Sequence, residues 1–304
     1  MSNKKYKVSI GIPAYNEEAN IKKLLLSLLS QKEDNFKLYE IIIISDGSTD
    51  RTVDEVRSVK SRKINLIVSH KRRGQGNAQN SIIKSFRGDV LVMLNADVLP
   101  KNKDFISRLL KPFSDENVVL VGPKLTPIKG RTFTENVLNY SVQFKDLIAE
   151  SWKSGNNLFL CRGGGRAFSR DFAKTIHWKD SLSEDAYSYL LCKNKGYKFH
   201  YQKSAEILFK SPDNFADHMK QSGRFVYGPK IMSKYFDESF VMEEYSIPSF
   251  HIIKFALEFF VKNPVYFSSY VLISLAVRLN PFNRVFAKNT WHTAHSSKNL
   301  NISS

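Results

Sequence analysis

Cys161 and Cys192 are the only cysteines in the 304-residue sequence, and no CxxC occurs. That excludes a disulfide scaffold and a cysteine zinc knuckle, and a reducing compartment fits best. The seven histidines show no HExxH spacing, and His292 and His295 fall in a polar tail, so a histidine zinc site is not expected. The dinucleotide fingerprint GxGxxG is missing, as is the phosphate loop GxxxxGK followed by Ser or Thr. The nearest match, Gly74-Gln75-Gly76, lacks the third glycine and follows Arg72-Arg73 instead of a clean strand end. An NAD enzyme or a P-loop ATPase is therefore disfavoured. Residues 1–7 are polar and basic, and no apolar core precedes a cleavage site, so no signal peptide is read there. The longest uncharged apolar stretch, residues 263–277 between Lys262 and Arg278, is shorter than the ~20 residues that a bilayer span needs.

Acidic residues are also scarce. Asp and Glu number 29 against 46 Lys and Arg, a formal charge of +17, while 42% of residues are hydrophobic and 25% charged. The composition is that of a globular chain of one large or two modest domains. The excess charge favours a polyanion: nucleic acid, an anionic membrane face or a phosphorylated small molecule. Residues 51–73 carry eight Lys and Arg against Asp54 and Glu55, but they lack the interleaved aromatics of a single-strand platform, so no nucleic-acid partner is expected. Residues 250–261 place Lys254 and Glu258 four apart among Phe, Ile and Leu, and residues 250–304 hold six Lys and Arg against one Glu. Helices lying in a membrane interface fit that pattern. A cap on the core or an oligomer contact is the competing reading. Ser and Asn dominate the last nine residues, which read as a loose tail.

The first 121 residues alternate strand and helix signals. Residues 8–12 form a short apolar run ending at Pro13. Asn16 then offers a helix cap, with Glu17 and Glu18 in the first turn, and Ile21, Leu24, Leu25, Leu28 and Leu29 follow on one helical face. Residues 41–44 are four consecutive isoleucines, suited to a parallel strand covered on both sides. Residues 64–68, a helix over about 76–86, residues 90–94 and residues 118–121 continue the series, which implies a doubly wound α/β sheet.

Ligands of such sheets lie beyond the carboxyl ends of the strands. Those ends carry Pro13-Ala14-Tyr15-Asn16-Glu17-Glu18, Ser45-Asp46-Gly47-Ser48-Thr49-Asp50 and Asn95-Ala96-Asp97. For a nucleotide diphosphate in this crevice, Tyr15 could stack on the base and Asp46 accept from a base N–H. Asp97 could hold Mg²⁺ or Mn²⁺, and Arg72 or Arg73 could reach the phosphates. Each also has a local alternative: Tyr15 packing under its turn, Asp46 capping its own turn, Asp97 capping the next helix, the arginines as solvated charge. Glu184-Asp185 offers two adjacent carboxylates, one able to face the crevice as a base while the other is held by a structural partner. The residues alone lead to a metal-assisted, nucleotide-dependent transferase.

These segments, with Ser183-Glu184-Asp185 and Gln221-Ser222-Gly223-Arg224-Phe225, stand in the order and spacing of the inverting family 2 glycosyltransferases of GT-A fold, which residues 6–235 resemble. Gly163-Gly164-Gly165-Arg166 is similar to the family's segment before the acidic pair. The resemblance implies a GT-A domain over residues 1–235, with a nucleotide-binding half to residue 121 and an acceptor half after it. Amphipathic helices and a polar tail would then occupy residues 236–304. It further implies a nucleotide-sugar donor, UDP before GDP, a divalent metal, and attack by an acceptor hydroxyl with inversion. Pro13, Ala14, Tyr15, Glu17, Asp46, Arg73, Asn95 and Ala96 would then surround the nucleotide and Asp97 would ligate the metal. Asp185, beside Glu184, would be the base, while Gln221, Arg224 and Phe225 would serve the diphosphate and acceptor. Asn95 departs from the first Asp of the DxD motif, Phe225 from the Trp of QxxRW, and Lys210 from a His that often ligates metal. Single transfer to a membrane-associated or lipid-linked acceptor, on the cytoplasmic face of the cell membrane, is the expectation. A processive synthase subunit and a non-catalytic nucleotide-sugar scaffold are the alternatives.

Overall fold

The computed structural model describes residues 5–179, 183–222, 225–280 and 298–300. Eight strands form one sheet: β1 (Tyr6–Ala14), β2 (Phe36–Asp46), β3 (Ile64–Ser69), β4 (Val90–Leu94), β5 (Val98–Pro100), β6 (Val118–Pro127), β7 (Gly165–Ser169) and β8 (Lys198–Phe209). Their order is β3-β2-β1-β4-β7-β6-β8-β5. The helices are α1 (Ile21–Leu29), α2 (Thr52–Ser58), α3 (Gln75–Ser85), α4 (Phe105–Leu110), α5 (Phe133–Ser151), α6 (Arg170–Thr175) and α7 (Glu184–Asn194). After β8 follow α8 (Phe215–Ser222), α9 (Gly228–Met232), α10 (Glu238–Tyr245), α11 (Ser249–Lys262) and α12 (Pro264–Leu279).

The isoleucine run of β2 is explained by two apolar layers. Ile41 and Ile43 enter the cluster shared with α1 and α4, while Ile42 and Ile44 enter the one shared with α3 and α7. In β4, Val90, Val92 and Leu94 point to the first cluster, and Leu91 and Met93 to the second. Strand side chains alternate faces, so a sheet covered on both sides demands continuous apolar sequence. Each such side chain contributes roughly 1.5–3 kcal/mol when fully buried.

The mostly parallel sheet is as expected, with one antiparallel insertion, and one expectation about the first helix needs correction. The parallel series does not close directly from β4 to residues 118–121, because β7 is inserted between β4 and β6 and runs antiparallel to both. Asn16 does not cap a helix. It adopts a left-handed backbone with φ of 52°, and α1 begins only at Ile21 with Asn20 at its N-cap. Glu17 and Glu18 therefore belong to the turn before the helix.

The chain runs β1-β2-β3 to one side and then returns to place β4 on the other flank of β1. The order thus reverses between β1 and β4, the position at which open α/β sheets leave a crevice. The residue 121/122 boundary falls inside β6, so both halves share one sheet. α10 closes on the body through fully buried Val241 and through Glu244, which accepts from Tyr189 Oη at 2.8 Å. α11 and α12 lie on α5 instead, where Phe259, Tyr266, Phe267 and Tyr270 pack around Tyr140 and Phe144. Among the described residues no helix is long and apolar enough to cross a membrane. Cys161 and Cys192 are buried and unbridged.

Candidate functional site

Three strand ends meet at the crevice, and backbone amides tie them together. The turn after β1 is stapled to the turn after β2. Asn16 Oδ1 accepts from Thr49 N at 2.8 Å, Glu17 N donates to Thr52 Oγ1 at 2.7 Å, and Glu18 N donates to Asp50 Oδ2 at 3.1 Å. These tertiary bonds hold Asn16 in its left-handed conformation, one that Asn tolerates better than most residues.

Asp46 is buried at the end of β2, with its two carboxylate oxygens accepting from Arg73 N at 2.8 Å and Gly74 N at 2.7 Å. It fixes the loop that leads into α3, a role distinct from capping its own turn. Gly47 makes this possible. Its φ is +71°, and a Cβ there would lie 2.6 Å from Arg72 N. The same loop places the Arg72 guanidinium 3.9 Å from the centre of the Tyr15 ring, a cation–π contact on the aromatic expected to stack on a base. Arg73 engages the site through its backbone, and its side chain is exposed.

Gln75 follows at the start of α3. Its Nε2 donates to Asn95 Oδ1 at 3.1 Å and to Glu184 Oε1 at 2.9 Å, spanning the loop after β4 and the acidic pair. Sequence reasoning missed this residue because it weighed the Gly74-Gln75-Gly76 segment only as a dinucleotide fingerprint. The two loops meet again through the glycine segment. Asn95 N donates to Gly164 O at 3.1 Å, and Gly163 N donates to Asp185 Oδ2 at 3.2 Å. A Cβ on Gly163 would stand 3.2 Å from Glu184 Oε1 and 3.6 Å from Asp185 Oδ2, so this backbone lies against both carboxylates.

The adjacent acids differ in surroundings. Glu184 is buried, with Oε1 3.9 Å from Arg166 Nη2, and its backbone carbonyl accepts from Trp178 Nε1 at 3.1 Å. Arg166 is wholly buried between the Phe168 and Trp178 rings, its Nη1 donating to Ser188 Oγ at 3.1 Å. Asp185 is half-exposed, and its other oxygen accepts from Ala186 N at 2.8 Å.

Around Asp97 the field is acidic. Burial pushes the Asp97 carboxyl above the ordinary carboxylate range, opposed by a backbone hydrogen bond and by the Lys298 ammonium. Burial, then the Asp97 carboxylate, pushes Glu17 up to about 7, against the pull of Lys298 and Asn20. Pro13, Ala14 and Ala96 are buried beside these groups, and Asn95 is half-exposed. No three His, Cys, Asp or Glu side chains gather into a metal cage among the described residues. Lys210 lies 3.6 Å from Glu135 and 3.7 Å from Asp213, paired in the framework at the start of α5. Gln221 is half-buried near the end of α8, and Phe225 is 59% exposed just beyond it. Gly223 and Arg224 lie outside the described residues.

A family model described as "Glycosyl transferase family 2" matches residues 9–176, over half of the chain and all three strand ends. The chain belongs to glycosyl transferase family 2. Among its relatives, the dolichyl-phosphate beta-glucosyltransferase ALG5D of Trichomonas vaginalis is 31% identical over 186 residues, 56% of this chain and 55% of that protein. The probable glycosyltransferase YdaM of Bacillus subtilis is 26% identical over 301 residues, covering 96% of this chain and 68% of its own. The chain thus spans about half the length of the first relative and two thirds of the second. The solved mannosyltransferase PcManGT of Pyrobaculum calidifontis, in complex with GDP-Man and Mn²⁺, superposes with a TM-score of 0.63 at 17% identity, over 93% of this chain and 83% of that one. The glucosyl-3-phosphoglycerate synthase of Mycobacterium tuberculosis, in complex with Mn²⁺, UDP and phosphoglyceric acid, gives 0.51 at 18% identity, over 75% and 78%. At such identities the solved structures carry the fold alone, and the expected GT-A sheet with C-terminal helices is met.

Proposed function

We propose that this family 2 protein is an inverting glycosyltransferase that moves a sugar from a nucleotide-sugar, UDP-linked in preference to GDP-linked, to an acceptor hydroxyl on a membrane-associated or lipid-linked glycan. One observation carries the reading. The loop bearing Asp97 and the carboxylate of Asp185 are joined through the glycine segment: Gly163 N donates to Asp185 Oδ2 at 3.2 Å, and Gly164 O accepts from Asn95 N at 3.1 Å. A donor diphosphate beside Asp97 therefore lies next to a partly exposed carboxylate.

Tyr15 offers its face to the base, and Asp46 holds the loop that shapes the base pocket. Asp97 is suited to bind a divalent cation that arrives with the diphosphate, because such ions need only one or two protein carboxylates when phosphates and water complete the shell. The reading is supported by a lysine ammonium drawn to Glu17, whose carboxylate and that of Asp97 act on each other. A Mn²⁺ or Mg²⁺ ion there supplies charge that stabilises the departing diphosphate. Asp185 takes the proton of the acceptor O–H, the oxygen bonds to the anomeric carbon from the opposite face, and the C–O bond to the diphosphate breaks with its electron pair. Glu184, held by Gln75, orients the pair. Gln221, Arg224 and Phe225 are assigned to closing on diphosphate and acceptor.

The second part of the reading concerns location. α11 and α12 leave Phe250, Ile253, Leu257, Val261, Leu272 and Leu279 exposed on a strongly basic chain. An anionic membrane surface matches both the apolar face and the charge. The names of relatives support it, since they include dolichyl-phosphate and undecaprenyl-phosphate transferases. We assign the protein to the cytoplasmic face of the cell membrane as a peripheral enzyme.

Thermal shift with UDP, GDP, dTDP or CMP, each with Mn²⁺, tests the donor class, because selective binding stabilises the folded state. Donor hydrolysis with Mn²⁺ or Mg²⁺ then compares wild type, Asp97→Ala and Asp185→Asn. Asp97→Ala is expected to lose metal-dependent nucleotide binding and Asp185→Asn to bind without turnover. Equal activity in all three proteins removes the mechanism.

A further inference from the structure

The last nine residues read as a loose tail, yet residues 298–300 are packed into the crevice. Lys298 Nζ lies 3.0 Å from Glu17 Oε1 and donates to Asn16 O at 2.9 Å and to Tyr15 O. Its side chain is only 13% exposed, and its ammonium stands 5.5 Å from the centre of the Tyr15 ring. Asn20, at the start of α1, grips the segment from both sides. Its Nδ2 donates to Lys298 O and its Oδ1 accepts from Leu300 N at 3.0 Å. The Leu300 side chain is buried at 4% exposure.

Two roles are open to a lysine in this position. It is either a ligand waiting for the donor phosphates or an occupant of the donor's place. The hydrogen bonds decide between them. An ammonium has three donors, and here Tyr15 O, Asn16 O and Glu17 Oε1 take all three. No donor of the ammonium is left over for a phosphate, and two of the three acceptors belong to Tyr15 and Glu17, residues assigned above to the nucleotide.

We infer that residues 298–300 form an internal competitor of the nucleotide-sugar, with Lys298 seated among Tyr15, Asn16 and Glu17 so that donor binds only after it leaves. The inference rests on the proposed donor site. Lys298 acts as a provisional counter-ion for the Glu17 and Asp97 carboxylates, whose like charges otherwise repel. Binding of donor with its cation replaces that charge and releases the segment. Among the described residues the anchor is small enough to be reversible: one leucine side chain, the Asn20 bridge, the Glu17 ion pair and the lysine's two bonds to backbone carbonyls. A competitor seated for nine-tenths of the time weakens apparent affinity about tenfold.

Titration calorimetry on the full chain tests this, with Mn²⁺ plus UDP and Mn²⁺ plus GDP as probes and wild type, Lys298→Ala and Leu300→Asp as proteins. Leu300→Asp loosens the anchor while keeping the Lys298 charge, so it separates occupancy from electrostatics. Both variants are expected to bind about tenfold more tightly than wild type. Amine labelling should show Lys298 protected without nucleotide and reactive at saturation. Weaker binding by Lys298→Ala would make Lys298 a donor ligand and overturn the inference, as would unchanged affinity in both variants. If no form binds either probe, wild type included, the donor-site reading itself fails and takes this inference with it.

Discussion

Strand β2 and the helix pair α11–α12 are built from similar apolar residues and meet opposite fates. Ile41, Ile42, Ile43 and Ile44 are all at most 4% exposed, whereas Ile253, Leu257, Val261 and Leu279 are 67%, 69%, 73% and 80% exposed. The difference lies in the number of covering layers. β2 has helices on both faces, while α11 and α12 have α5 on one side and nothing described on the other. Local hydrophobicity therefore does not distinguish core from contact surface. Topology does, by providing a second layer or leaving a face uncovered among the described residues, and an apolar face of that kind is what the proposed membrane contact would use.

If the crevice side of this contrast is the chemical one, Asp185→Asn should have the largest effect. Transfer should fall by about 10²- to 10⁴-fold, the usual contribution of a general base, while binding of Mn²⁺ with UDP stays within about twofold. Turnover and calorimetry on the same preparation check this, and a matching loss of binding would recast Asp185 as a donor ligand. On the helical side, Ile253→Asp combined with Leu257→Asp should cut flotation with anionic liposomes by about ten- to a hundredfold. The melting transition should move by no more than about 0.5 kcal/mol equivalent, as expected for exposed sites. Undiminished flotation would end the membrane reading, and collapse of the fold would show that the bare face is core.

The sheet side has its own electrostatic test. Glu40 lies within β2, accepting from Ser9 Oγ at 2.7 Å, Arg87 N at 2.8 Å and Arg87 Nη2 at 2.9 Å. Burial pushes its carboxyl up, but the hydrogen bonds from Arg87 and Ser9 together hold it below the ordinary range. Its stabilisation is therefore present above the unfolded-state carboxylate pKa and disappears as pH falls through the lower folded value. Glu40→Gln should cost about 1–3 kcal/mol at pH 7 in urea unfolding. The gap from wild type should narrow as the pH falls below the ordinary glutamate range. A gap constant from pH 7 to 3 would assign the loss to packing instead of charge.

How legible this was in the sequence follows the same division. The β2 isoleucines and residues 90–94 were readable because a two-sided sheet stamps continuous apolar runs on the chain. The strand-end motifs were readable because the crevice gathers polar groups at fixed positions after those runs. Asn16 misled because its left-handed turn is held by Thr49 N from another strand end, a partner that local spacing does not reveal. Gln75 was passed over for the same reason, since Asn95 and Glu184 reach it only after folding. The seat of residues 298–300 was hidden by composition. A tail rich in Ser and Asn reads as loose, and its grip depends on Tyr15, Asn16, Glu17 and Asn20, all from the far end of the chain.

The mildest change probes the joint between the two regions. α5 is the layer on which α11 and α12 rest, and it starts with a capping box. Thr132 Oγ1 accepts from Glu135 N at 3.1 Å, and the Glu135 carboxylate accepts from Thr132 N at 2.8 Å. Removing that hydroxyl with Thr132→Ala should cost about 1 kcal/mol. The box lies on the α12 side of the joint, where Phe133 meets Tyr266 edge-on at 5.7 Å. Loosening it should therefore be felt by α12 before β2. Hydrogen exchange should speed up in α5 and α12 while the β2 amides keep wild-type protection, because sub-global opening follows local contacts. Equal acceleration in both regions would mean that the helix pair and the sheet open as one cooperative unit, and the contrast between a closed core and a separately mounted surface layer would not hold.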